Sequence, residues 1–396
     1  MVLSTVPNQT ADDPGLPLAT RRRSLWAACL AHALHDGYTD GLYAFLPAWQ
    51  AQFGLSYAAL AALRALYYAT MGGLQMPTAR LLDNASARTA LMLSIVIAAA
   101  GLLIMALATG LPGLCVGLAV AGIGSSIQHP RASMLVIDSY GEAARSPLGI
   151  YNFSGDLGKA ALPAGIAVLL PVLAWQPVLG LMAGLGVALT FALLWLIPRP
   201  IPSWHAPEKV VSSGSRAGFA LLATIGALDT ATRMGYLLFL PFLIHLRGGE
   251  SPEVGLGLAL LFIGGAFGKA TCGRLGERLG VIGTVMATES ATALLMVATL
   301  FIPLPAMLLV LPVLGVVLNG TSSVLYGTVP ELAANGDSGR AFAIFYTFVI
   351  GSGGVAPIAY GAIADLGGQT IGLLAAAATA AVIVPLALFL RPSLAS

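Results

Sequence analysis

The stretch HALHDGYTDGLYAFLP, His32 to Pro47, sets two histidines and two aspartates inside a run that is otherwise apolar enough to cross a membrane. His32, Asp36, Asp40 and Tyr43 follow one another at spacings of four, four and three. At about 3.6 residues per turn they form one stripe of a helix, with His35 beside it. A charged side chain at mid-membrane costs about 2.5–3.5 kcal/mol even on the lenient insertion scale. Such a stripe therefore has to face water or opposite charge within the bilayer, or else the helix is not in the bilayer at all.

Composition decides between the two. Of 396 residues, 57% are hydrophobic and only 9% are charged, against roughly 25% charged in a soluble domain. Most of the chain must face lipid or pack within it. A formal net charge of +2 carries no basic patch, and no nucleic-acid partner is expected. Cys29, Cys115 and Cys272 lie far apart in apolar segments and read as small core residues. Residues 1–20 are polar, and Arg21-Arg22-Arg23 leads into a full-length span, so no cleavable leader is expected.

A crossing needs about 20 apolar residues, and twelve such runs are found. The longest polar interruption, 198–215, divides them six and six. The expected organisation is a tail (1–23), a six-helix bundle (24–197), a linker (198–215), a second six-helix bundle (216–390) and a short tail (391–396). Arg21, Arg22, Arg23, Arg80, Arg88, Arg145, Arg199, Lys209, Arg216, Arg274, Arg278, Arg340 and Arg391 fall on one side of this arrangement, and only Arg247 on the other. That bias makes both termini and the linker cytoplasmic.

The halves repeat at a constant offset of 194: Phe45-Leu46-Pro47 with Phe239-Leu240-Pro241, Arg80-Leu81 and Asp83 with Arg274-Leu275 and Glu277, Pro163 with Pro357. A parallel duplication of six-span bundles resembles the major facilitator superfamily. The loop GRLGERLG (273–280) resembles that superfamily's short cytoplasmic signature G-x-L-x-D-R-x-G-R, with Glu277 in place of the acid. TARLLDNASAR (78–88) is a degenerate copy that keeps Asp83 and Arg88. Asp83, Arg88, Glu277 and Arg278 are read as gating residues that pair with helix ends in one conformation and release them in another; topology charges alone are the plainer account. The fold expected is all-α: twelve transmembrane helices in two six-helix bundles, both termini cytoplasmic.

The remaining polar residues within spans form a set. The second span has Arg64 and Tyr67; the fourth Gln128, His129 and Arg131; the fifth Tyr151, Asn152, Asp156 and Lys159. The seventh has Asp229 and Arg233 one turn apart, the eighth Lys269, the tenth Asn319 and the eleventh Tyr346. Spans three, six and twelve carry essentially none; in the resembled superfamily the third helix of each triplet is peripheral and the others line the cavity. Glu289, in span nine, breaks this pattern and receives no role. Each member of the set has a plain structural reading: Asp229 and Arg233 as a self-neutralising pair, Asn319 as a helix–helix bond, Lys269 and Arg131 as side chains reaching for the cytoplasmic interface.

As a set they suit a water-filled cavity. Arg64, Lys159 and Arg233 favour an anionic group such as carboxylate or phosphonate. Asp36, Asp40, Asp156 and Asp229 can take up protons, because burial favours the neutral acid while a nearby cation favours the carboxylate. His35 and His129 can assist. His32, His35, Asp36 and Asp40 also suit a divalent ion, but the cations sharing the cavity oppose it, and no resident metal or cofactor is expected. No nucleophile–base or nucleotide motif points to an enzyme.

The segments AHALHDGYTDGLYAFLP, GIGSSIQHPRASML, YNFSGDLGKAALP and FVIGSGGVAPIAYGAIAD resemble the fosmidomycin-resistance branch of the superfamily, most specifically in GIGSSIQHP. The resemblance implies a multi-pass protein of the bacterial inner membrane that exports a small drug in exchange for protons. His35, Asp40, Arg131, Asp156 and Lys159 depart from the familiar member. The expected function is proton-coupled alternating-access transport of a small anion or zwitterion by a monomer. Substrate contacts are expected from Arg64, Tyr67, Gln128, His129, Tyr151, Asn152, Lys159, Arg233, Asn319 and Tyr346, and proton coupling from His35, Asp36, Asp40, Asp156 and Asp229. The alternatives are a symporter importing an organic anion, nutrient or siderophore, a divalent-metal transporter, and a non-transporting sensor.

Overall fold

The computed structural model describes residues 16–197, 215–333 and 338–394. The linker expected at 198–215 lies almost wholly outside these, as do most of the first tail, the tip of the last and the side chain of Arg340. Within the described residues the chain is helical, with no strand.

The first half holds α1 (Leu18–Gly41), a 3-10 turn (Leu42–Phe45), α2 (Leu46–Phe53), α3 (Tyr57–Gly73), α4 (Gln75–Leu81), α5 (Ala87–Ala106), α6 (Leu111–Tyr140), α7 (Arg145–Leu169) and α8 (Trp175–Leu196). The second holds α9 (Arg216–Leu246), α10 (Ser251–Thr299), α11 (Leu304–Thr328), α12 (Ser338–Gly367) and α13 (Gln369–Leu394). α10 is two helices end to end: Gly280, at φ 69°, turns the chain where only glycine does so cheaply. α1 and α2 form one rod across the 3-10 turn, because Pro47 sits at the start of α2 where its missing N–H costs nothing. Its repeat partner Pro241 is instead carried inside the continuous α9.

Nine stretches among the described residues are long and apolar enough to cross a membrane, one of them joining α6 and α7. α3 falls short because a break at Leu74 leaves 17 residues. α1 falls short because its polar stripe lowers its hydropathy, so the rod that carries the chemistry is the one least membrane-like in composition. Asp36 lies eighteen residues from the start of the α1–α2 rod and seventeen from its end, at the middle of the span.

Two glycines set the approach of α1 to α7. Gly158 rests against the Ala33 carbonyl, and a Cβ at Gly155 would stand 2.6 Å from the His32 ring and 2.7 Å from an Asp36 oxygen. Small residues let backbones approach closely where no hydrophobic effect drives association.

The halves meet at the end opposite the arginine-rich loops. Tyr57 packs edge-on against Phe239 and Phe242 of α9, with ring centroids 5.7 and 5.1 Å apart. The backbone N–H groups of Tyr57 and Ala58, at the start of α3, donate to the two carboxylate oxygens of Asp365 on α12 at 2.8 and 3.1 Å. The Tyr57 hydroxyl donates to Gln369 at 3.1 Å. An anion on a helix N-terminus completes orphan donors and complements the helix dipole. In this conformation the end opposite the arginine-rich loops is shut.

Asp365→Ala removes both bonds and is expected to weaken closure by about 1 kcal/mol, roughly a fivefold shift in population. Spin labels at Ala51→Cys and Thr370→Cys should show a longer-distance population growing in the variant; an unchanged distribution would mean that Asp365 does not hold the outer end.

Candidate substrate and proton site

The stripe on α1 is the centre of a charged cluster. Asp36 lies 3.2 Å from the Lys159 ammonium, 3.3 Å from His32 Nε2 and 3.6 Å from His129 Nε2. Lys159 is also 4.0 Å from Asp40 and 3.9 Å from Asp156. Asp40 is 4.0 Å from Arg64. Asp156, beyond Lys159, receives both of its oxygens' hydrogen bonds from Lys269 of α10, at 2.7 and 2.8 Å. Three carboxylates and three cations thus alternate across α1, α3, α7 and α10, and the last link joins the two halves of the chain. Asp36, Asp40 and Asp156 are buried, whereas the Lys159 and Lys269 side chains keep 27% and 39% of their surface exposed, as His129 does at 39%. Solvent therefore reaches the cluster from the cation side.

The histidines cluster. His32 lies flat on Tyr151 at 4.0 Å and its Nδ1 meets the Tyr151 carbonyl at 2.8 Å, so that nitrogen carries the hydrogen and Nε2 faces Asp36. His129 stands edge-on to both His32 and His35, at 5.1 and 4.7 Å. His35 Nε2 has no hydrogen-bond partner. Gln128 and Tyr151 face one another, both buried, and neither side chain completes a hydrogen bond.

Arg64 occupies an aromatic box. Its guanidinium carbon lies 4.2, 5.6 and 5.1 Å from the ring centres of Tyr43, Tyr67 and Tyr68, a cation–π cage. One nitrogen donates to the Tyr68 hydroxyl at 3.3 Å, while Nε and Nη1 are buried without partners. Tyr67 continues a hydroxyl chain to Thr39 at 2.8 Å and Ser125 at 2.6 Å. Tyr43 and Tyr68 each donate to the sulfur of Met234 on α9, at 3.4 and 3.6 Å, a second contact between halves.

The structure thus gathers Asp36, Asp40, Asp156, Lys159, Arg64, Tyr67, His35, His129, Gln128 and Tyr151. Asn152, one turn before Asp156 on the same face of α7, is exposed. Others lie apart. Asn319 donates to the Gly315 carbonyl of its own helix at 3.2 Å and packs on Gly265. Tyr346 is 46% exposed and stacks with Tyr326 at 5.1 Å. Asp229 and Arg233 form no ion pair within 4 Å, and Arg233 Nε has no hydrogen-bond partner. Asp83, Glu277 and Arg278 are exposed at loop ends and, with Arg88, make no ion pair among the described residues.

Two of the interface readings change. Lys269 does not reach for the interface; it ends on Asp156, a partner in the other half that no spacing along the sequence announces. Arg131 donates to the Ala79 carbonyl at 3.2 Å, tying α6 to the end of α4. Asp365 was not anticipated either; an acid near the end of span eleven carries no pattern of its own. For a divalent ion, His32, Asp36 and His129 offer ligand atoms within 4.8 Å of one another. The Lys159 ammonium already occupies the Asp36 carboxylate, so the residues present do not suit a resident metal.

Comparison with known proteins agrees with this architecture. Residues 28–222 match the family profile described as Major Facilitator Superfamily. The Fosmidomycin resistance protein of Escherichia coli (strain K12) is 22% identical over 361 residues, 86% of this chain and 86% of that protein. A bacterial homologue of the human lysosomal transporter Spinster, in an inward-facing and unoccupied conformation, superposes with a TM-score of 0.77 at 15% identity, over 96% of this chain and 98% of that one. A POT family transporter in complex with 5-aminolevulinic acid gives a TM-score of 0.75 at 15% identity, over 94% and 97%. At these identities the solved structures share the fold.

Lys159→Met would leave a buried carboxylate without its cation, at a cost of about 3–5 kcal/mol. Asp36→Asn in the same chain should recover much of that loss. Thermal unfolding of both single variants and the double in detergent reads the coupling; additive effects would show that the pair does not interact.

Proposed function

We propose that this chain, a transporter of the major facilitator superfamily, carries a small anionic or zwitterionic compound together with protons. It would do so by alternating access in the inner membrane of a bacterium, as a monomer whose two halves enclose the whole site. The observation that carries the proposal is the alternating cluster Arg64–Asp40–Lys159–Asp36, extended through Asp156 to Lys269.

In that cluster every cation is held by an acid, so an incoming anion competes with carboxylates for Lys159, Lys269 and Arg64. A carboxylate that loses its cation inside a low-dielectric site takes up a proton, because burial then favours the neutral acid. Anion binding and protonation of Asp36, Asp40 and Asp156 are thereby linked, with His35 and His129 next to Asp36 as intermediaries. When the anion leaves, the cations return and the protons are released. The Lys269–Asp156 pair joins α10 to α7, so the same exchange loosens the halves and lets them rock. Arg233, without an ion-pair partner on α9, provides a further anion contact from the second half.

The relative's name supplies a first probe: fosmidomycin, a phosphonate, matches the cationic site. In proteoliposomes an imposed pH gradient should drive its accumulation. Asp36→Asn is expected to reduce gradient-driven transport at least tenfold, and Lys159→Ala to weaken fosmidomycin binding by a similar factor, about 1.4 kcal/mol. If both variants transport like the parent, these roles are wrong.

A further inference from the structure

We propose that His32, Asp36 and His129 form a binding site for a divalent metal ion of the zinc class, at which the metal competes with Lys159 and arrests transport. The arrest rests on the proton-coupled reading above; the metal site does not.

The ligand atoms are already in place. Asp36 holds one carboxylate oxygen 3.3 Å from His32 Nε2 and the other 3.6 Å from His129 Nε2. With metal–ligand bonds of about 2.0–2.1 Å, the corners of a tetrahedron lie about 3.3–3.4 Å apart. One atom from each of the three residues falls within 4.8 Å of the other two. Two imidazoles and a carboxylate leave a fourth position for water, and this donor set suits zinc and its first-row neighbours better than calcium or magnesium.

His32 is held as a ligand is held. Its Nδ1–H donates to the Tyr151 carbonyl at 2.8 Å and its ring lies on Tyr151 at 4.0 Å. A metal-bound histidine is oriented in the same way, one nitrogen tied to a carbonyl so that the other aims its lone pair at the ion. Here that lone pair meets an Asp36 oxygen, which has only lone pairs to offer in return, and two acceptors 3.3 Å apart need a cation between them. The backbone of α7 leaves the edge of the pair bare. It passes there as Gly155, where a Cβ would stand 2.6–2.8 Å from the His32 ring and the same Asp36 oxygen. The third ligand, His129, is 39% exposed and gives an ion its way in from solvent.

Lys159 keeps a metal from residing at this place, since its ammonium lies 3.2 Å from the Asp36 oxygen that faces His32. It also has somewhere to go. Its side chain is 27% exposed on a flexible stem, with Asp40 and Asp156 at 4.0 and 3.9 Å. A divalent ion that takes its place at Asp36 exchanges one cation for another and leaves no carboxylate bare. Asp36 is then tied to His32 of α1 and His129 of α6 through the metal, and no longer trades Lys159 for a proton.

Cobalt(II) reports such a site by its colour. In the purified parent, free of any affinity tag, Co2+ should develop the visible absorption of one tetrahedral ion per chain, which Zn2+ displaces. His32→Gln and His129→Gln should each weaken Co2+ binding at least tenfold. Lys159→Met, relieved of the competing ammonium, should bind Co2+ at least tenfold more tightly and gain more thermal stability from it than the parent does, a change opposite in sign to damage to the fold. Absence of the band in the parent, parental binding in both histidine variants, or no tightening in Lys159→Met overturns the proposal; a proton alone then fills the gap at His32. In proteoliposomes, saturating Zn2+ should abolish gradient-driven accumulation of fosmidomycin and a chelator should restore it. Undiminished accumulation overturns the arrest and leaves the metal site. Failure of fosmidomycin transport in the metal-free parent counts against the proposed function and takes the arrest with it, while the cobalt result stands.

Discussion

A charge inside a bilayer has to be matched, by opposite charge or by water, and in this protein one lysine does most of the matching. Lys159 lies within 4.0 Å of Asp36, Asp40 and Asp156, so three acids on two helices depend on a single ammonium. An ammonium is a compact charge on a flexible stem and can serve several acids in turn, which the planar fork of an arginine does less readily. Arg64 and Lys269 complete the ledger from either end. The fold holds this cluster at mid-membrane by pressing α1 against two glycines of α7. The halves share it through one ion pair and the sulfur of Met234.

The sequence makes the framework legible for a physical reason. Lipid forces long apolar helices, so spans, the central division and the orientation bias can all be read from composition. The stripe on α1 is equally legible, since His32, Asp36 and Asp40 are separated by whole helical turns. Contacts between helices are not legible in the same way. Nothing local to Lys269 says that it will meet Asp156, 113 residues away. The spacing of Asp229 and Arg233 suggests a pair, yet the two side chains make no ion pair within 4 Å. Asn319 has a side chain suited to either a substrate or its own helix, and its approach to Gly265 is not written in its neighbours along the chain.

The two halves are similar in chain and different in chemistry. The offset of 194 aligns Asp36 and Asp40 with Thr230 and Met234. Met234 sits under Tyr43 and Tyr68, at the position where an acid would have faced Arg64 across the cavity. The second half places its acids elsewhere, with Asp229 one residue before the aligned position. Duplication therefore preserved the rods and the prolines and let the ionisable groups diverge.

The outer closure has a consequence for how such a protein can vary. Asp365 grips α3 by two backbone N–H groups, not by a side chain. Every amino acid but proline presents those groups, so this part of the grip is indifferent to the side chains at 57 and 58, although the Tyr57 ring and hydroxyl add contacts of their own to Phe239, Phe242 and Gln369. Proline would fit the first turn of α3 sterically and still remove a donor. One partner of the gate is thus written in the residue at 365 alone. The other is written only in where the helix begins, a property that comparison of side chains at the gate would never reveal.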